Sequence, residues 1–89
     1  MQRSAIISQL TRHIADNVLY GRDIGLDETT PLLEWGIINS LEIVRLLSFV
    51  HKQFNVEIPI DNVVPENFIN LAAIADLLLK LSVAEQKTL

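Results

Sequence analysis

Cysteine is absent from this chain. Disulfide scaffolding, thiolate metal sites and cysteine nucleophiles are therefore excluded. Positive charge is scarce: seven Lys and Arg stand against eleven Asp and Glu, for a net charge of −4. A domain that tracks a phosphate backbone needs a basic stripe, so no nucleic-acid partner is expected. No long apolar run is present either. The most apolar stretch, Leu71 to Leu81, carries Asp76 and Lys80 and is too short to span a bilayer. Met1-Gln2-Arg3-Ser4 leads into an interrupted pattern, without the continuous apolar region or small-residue cleavage site of a signal peptide. His13 and His51 fall on different predicted helices with no carboxylates grouped around them, so no metal site is expected. Glu34 and Glu42 give no paired acid–base geometry. The expected protein is a single cytoplasmic domain spanning residues 1–89, monomeric, with no membrane partner, and no catalytic cluster is visible.

What is present is aliphatic and helical. Ile7, Leu10, Ile14 and Val18 recur at helical spacing, with Ile6 broadening the stripe, which predicts an amphipathic helix over 3–19 stopped by Tyr20-Gly21. From Gly21 to Asn39 no period survives. Gly25, Pro31 and Gly36 punctuate this segment, and Leu26, Leu32 and Leu33 are its expected anchors to the core. A loop of this length is uncommon in a compact domain and is usually functional or a sign of a wrong element assignment. A second helix is predicted from Asn39 or Ser40 to Phe54-Asn55. Asn39 would be its cap, Glu42 the capping-box partner three residues on, and Ile43, Leu46, Leu47, Val50 and Phe54 the buried stripe. Leu41 and Val44 sit toward the edge of that stripe.

Val56 to Ile60 alternates like a strand but has no pairing partner elsewhere in the chain, so a sheet is rejected. A single turn is expected near Asp61 to Val64, then a short helix opened by Pro65. Asn70 caps a last helix with Leu71, Ile74, Leu77, Leu78 and Leu81 inward. The core is expected over about 6–81, with a frayed tail over 82–89.

The run Gly36-Ile37-Ile38-Asn39-Ser40-Leu41, continued by Glu42-Ile43-Val44-Arg45-Leu46-Leu47 and later by Phe54-Asn55-Val56-Glu57-Ile58-Pro59, resembles the acyl and peptidyl carrier protein family. The resemblance covers Ile6 to Leu81 and implies an all-α, antiparallel four-helix bundle with a long first loop and a short third helix. It also implies a covalent 4′-phosphopantetheine on Ser40, the cofactor-binding residue. The arm's terminal thiol would supply the thioester chemistry that a cysteine-free chain cannot. The helix start suits an attached phosphate, since free N–H groups and the dipole favour an anion there by about 0.3–1 kcal/mol.

The expected protein is then a free-standing acyl or aminoacyl carrier, not an enzyme. Its partners would be a phosphopantetheinyl transferase, a loading enzyme, and a downstream acyl-processing or transfer enzyme. The family signature has Asp where this chain has Asn39, which bears on the choice of transferase. Arg45, His51 and Lys52 replace the acidic second-helix face of fatty-acid carriers, which points to specialised metabolism. Asn39, Leu41, Val44, Arg45 and Phe68 are the candidate partner-recognition residues. Trp35, beside this motif, reads first as a packing residue. The alternative is a helical interaction module that keeps the fold without the cofactor.

Overall fold

The computed structural model describes residues 2–22 and 24–87. Among these are three α-helices, two short 3-10 helices and no strand: α1 (Arg3–Asn17), α2 (Ser40–Phe54) and α3 (Leu71–Lys87), with the 3-10 helices Ile60–Asn62 and Pro65–Phe68 between the last two. The all-helical class and the rejection of a sheet agree with the sequence. The expected short third helix is instead a four-residue 3-10 helix. Val64 is extended, as a residue before proline tends to be, and α3 starts at Leu71, leaving room for only one turn.

Each α-helix ends for a local reason. Past α1, Leu19 N–H donates to Ile14 carbonyl at 2.9 Å and Gly21 N–H to Ala15 carbonyl at 2.8 Å, closing the helix where Tyr20-Gly21 was expected to stop it. Asn55 turns left-handed after α2 (φ 55°) and donates to His51 carbonyl, a conformation Asn tolerates better than most residues. Asn70 caps α3, its Oδ1 accepting from Ala73 N–H at 2.8 Å. That helix continues through Ser82 to Lys87, beyond the Leu81 at which the apolar period ends. Loss of periodicity removes a buried face but not helix propensity, and Ala84, Glu85, Gln86 and Lys87 are all good helix formers. Thr88 and Leu89, the end of the expected frayed tail, lie outside the described residues.

The core is one cluster. Ile6, Leu10 and Ile14 of α1 meet Leu71, Ile74, Ala75 and Leu78 of α3, with Leu46 and Val50 of α2, Phe68, Val56 and Leu32 completing it. Burying each of the larger side chains contributes about 1.5–3 kcal/mol. Ile6 rather than Ile7 is central, since the two adjacent isoleucines lie 100° apart around the helix and only one can face α3 squarely.

The long segment between α1 and α2 is stitched down rather than loose. Ala72 N–H donates to Glu28 carbonyl at 3.0 Å and Leu32 N–H to Ile69 carbonyl at 2.8 Å. Leu32 is fully buried, and Leu26 and Leu33 pack against the core, as their apolarity predicts. Arg3 adds an exposed clamp, with its Nε 2.9 Å from Asp76 and its Nη1 3.7 Å from Glu28. Asp27 Oδ1 accepts from Thr29 N–H and from the hydroxyls of Thr29 and Thr30. These bonds hold its carboxyl below the ordinary value.

Candidate functional site

The approach to Ser40 is built one hydrogen bond at a time. Trp35 N–H donates to Pro31 carbonyl at 3.1 Å, making a single helical turn. Gly36 then adopts φ +70°, where a side chain would be strained, and the N–H groups of Ile37 and Ile38 both reach back to Leu32 carbonyl at 2.8 and 3.2 Å. This reversal buries Ile38 and sends Asn39 out in an extended conformation to start α2.

Asn39 is the cap the sequence predicts: its Oδ1 accepts from Glu42 N–H at 3.1 Å. The Glu42 carboxylate lies 3.8 Å from Arg45. The side-chain half of the expected capping box is therefore directed along the helix instead.

Ser40 is the first residue of α2 and is exposed. Its hydroxyl makes no hydrogen bond with any described residue. A group attached to this oxygen would displace no hydrogen bond among the described residues and would sit beside the first turn of α2, at the positive end of the dipole, where a phosphodiester is favoured. The position therefore fits a phosphate-linked arm.

Beside Ser40 opens a cleft of about 700 Å³ between the first half of α2 and the Ile60–Phe68 segment. Its walls are almost wholly apolar: Leu33, Ile38, Ile43, Val44, Leu47, Ile60, Val63, Val64, Pro65 and Phe68, with Asn39 and Ser40 at the rim. Large apolar side chains stay in water here, Val44 and Ile60 in the cleft wall and Leu41 and Trp35 next in sequence to its lining residues Ser40 and Gly36. Leu41 is 58% exposed, Val44 61%, Trp35 61% and Ile60 81%.

The candidate recognition residues divide accordingly. Asn39, Leu41, Val44 and Arg45 are at the surface near Ser40. Phe68 is not: it is fully buried, and a ring with no exposed surface belongs to the floor of the cleft rather than to a docking face. Trp35 corrects the sequence reading in the other direction. The turn that places Gly36 leaves the indole outside, so it does not serve packing.

Ile60, Val63 and Val64 were not anticipated at the site. The usable signal was the apolar alternation after α2, which had neither a sheet partner nor a helical stripe to join.

His51 is exposed. His13 is half-buried, its ring stacked on Phe49 at 4.2 Å and 24° between planes. Burial pushes the imidazole below its ordinary value, opposed by the charge of Glu42. Among the described residues no group of His, Asp or Glu could hold a metal ion, and no helix is long and apolar enough to cross a membrane.

Residues 7–78 match the family model described as the phosphopantetheine attachment site. The chain belongs to this family of carriers. It is 35% identical over 74 residues to the probable acyl carrier protein PigG of Serratia sp. (strain ATCC 39006), a span of 83% of this chain and 85% of PigG. It also resembles, at 41% identity and a TM-score of 0.74, a chain in the crystal structure of an FAD-dependent dehydrogenase. That match covers 79% of this carrier and 99% of the matched chain, which is therefore the shorter of the two. As a member of the family the protein is a carrier rather than a catalyst, and its cofactor is phosphopantetheine.

Proposed function

We propose that Ser40 is the attachment point and that the protein is a free-standing, monomeric cytoplasmic carrier for an acyl or aminoacyl group in specialised metabolism. The carrying observation is an exposed, unengaged serine hydroxyl at the first residue of a capped helix, inside the matched region. Attached there, the arm supplies a terminal thiol on which cargo is held as a thioester.

The chain's own residues do the rest. Asn39 fixes the first turn of α2, so the hydroxyl is presented rigidly to the transferase. The N–H groups of that turn favour the phosphodiester. The apolar cleft gives the base of the arm and its cargo a surface to lie against. On this reading Pro65–Phe68 stands in for the short third helix of the antiparallel four-helix carrier bundle.

The likeness to PigG supports an acyl carrier, and the second likeness supports an FAD-dependent dehydrogenase as the downstream enzyme acting on the loaded group. A transferase and a loading enzyme complete the set of partners. Asn39, a cap as good as Asp but without its charge, shifts the preference among transferases.

Incubating the apo-protein with coenzyme A and a broad-specificity transferase tests the attachment. Intact mass should rise by one phosphopantetheine. A protein left unmodified by several competent transferases would favour the cofactor-free interaction module instead.

A further inference from the structure

The cleft beside Ser40 has one firm wall and one lightly held wall. The firm wall is α2, which Leu46 and Val50 fix in the core. The other is the chain from Ile60 to Pro65. It is anchored at both ends, by Val56 before it and Phe68 after it, at 1% and 0% exposure. Between these anchors Val63 packs only partly against the core, the 3-10 helix Ile60–Asn62 buries no residue, and Ile60 is 81% exposed. The backbone bonds of that turn, Asn62 N–H to Pro59 carbonyl and Val63 N–H to Ile60 carbonyl, close it on itself and tie it to nothing else.

A side chain makes the tie. Half-buried Asn67 donates from its Nδ2 to Asn62 carbonyl at 2.8 Å, while its backbone N–H donates to Val64 carbonyl at 3.0 Å. Asn67 belongs to the Pro65–Phe68 turn, which Phe68 holds in the core. Among the described residues, the Nδ2 bond is the only side-chain hydrogen bond that joins the two 3-10 helices. Without it the Asn62 carbonyl loses its protein partner, and the exposed turn loses its brace.

We infer that Asn67 is a positioning residue for the thioester-bound cargo: by bracing Ile60–Asn62 it keeps Ile60, Val63 and Val64 in place as one wall of the cleft. The inference rests on Ser40 as the attachment point. No charged residue lines the cleft, so an aliphatic acyl chain gains from lying there, and gains more with each methylene. An acetyl group has almost no apolar surface to bury. Loosening the brace therefore acts on long cargo and spares short cargo, a selectivity that a general loss of stability does not produce.

The test loads the apo-protein from octanoyl- or acetyl-coenzyme A with a broad-specificity transferase, which moves the whole acylated arm to the Ser40 oxygen. Hydroxylamine then attacks the thioester carbonyl, giving a hydroxamate and the free thiol of the arm, and intact mass follows the rate. Protection is the rate for the same thioester on coenzyme A divided by the rate on the carrier. Wild type is compared with Asn67→Asp, which keeps the shape and loses the donor, with Asn67→Ala, and with Asn70→Ala. The last removes the cap of α3, a bond of 2.8 Å outside the cleft. Wild type should protect octanoyl about fivefold more than acetyl, and both Asn67 variants should bring the two within about twofold. Asn70→Ala should keep the wild-type ratio. In the apo-protein, hydrogen exchange at the Asn62 and Val63 amides should quicken in the Asn67 variants and not in Asn70→Ala. Undiminished octanoyl protection or unchanged exchange in folded Asn67 variants overturns the inference. So does an equal loss in Asn70→Ala, or no preference for octanoyl in wild type. Circular dichroism checks that the variants fold. Failure of attachment at Ser40 shows separately, as an unchanged intact mass after loading, and removes the reading on which the inference rests.

Discussion

Along α1 and α3 the aliphatic side chains vanish from solvent: Ile6, Leu10, Leu71, Ile74 and Leu78 are all fully buried. Around Ser40 side chains of the same kind stay in water, as Leu41, Val44 and Ile60 show. Both regions come from the same apolar vocabulary, so composition does not separate them. What does is whether a neighbouring element covers the residue. α1 and α3 cover each other, whereas the outer face of α2 and the Ile60 turn border an open cleft. The first region holds the molecule together, and the second holds apolar surface in reserve.

The sharpest way to break this contrast is to truncate one residue in each region. Leu10→Ala should destabilise by about 2–5 kcal/mol in urea unfolding, because it removes buried methyls and leaves a cavity. A loss below about 1 kcal/mol would mean that the α1–α3 contact is not the tight core described. Asn39→Ala should cost about 1 kcal/mol through the lost cap, while Asn39→Asp should leave stability nearly unchanged. If Asn39→Asp is also modified at the same rate by several transferases, the proposed transferase preference is wrong.

His13 gives a smaller effect with a definite sign. Burial lowers its folded value below 6.5, so the unfolded chain takes up the proton first as the pH falls. Its contribution is complete above that pH and is lost as the pH drops through the depressed folded value. The pH dependence of the melting temperature between neutral and mildly acidic solution should flatten in His13→Gln. An unchanged slope would show that the Phe49 stack does not hold the neutral ring. Smallest of all, Leu41→Ala and Val44→Ala should shift unfolding by less than about 0.5 kcal/mol, since neither side chain leaves water on folding. A larger shift would place them in the core and remove the contrast.

The sequence disclosed most where one residue decides one geometry. Asn39, Asn55 and Asn70 mark helix ends through their own side-chain or left-handed chemistry, and Gly36 marks the reversal before α2. The stripes of α2 and α3 were readable because helical spacing fixes a face without knowledge of its neighbour. What stayed hidden depends on neighbours. Phe49 looks like any half-buried aromatic until His13 of α1 is seen stacked on it, and Phe68 could be surface or floor until the core cluster that buries it is seen. Trp35 followed the usual burial of tryptophan in expectation, but the turn from Pro31 to Gly36 turns it outward. At the site, Ser40 was legible from its motif, while the cleft beside it required the path of residues 60–68.

On the proposed function, the exposed hydroxyl of Ser40, and no other, carries the arm. Tandem mass spectrometry of wild type and Ser40→Ala, each produced beside a competent transferase, tests it most directly. One phosphopantetheine is expected on the peptide containing Ser40 and none on the folded variant. Modification of Ser40→Ala, or an arm mapped to another residue of the wild type, would contradict it.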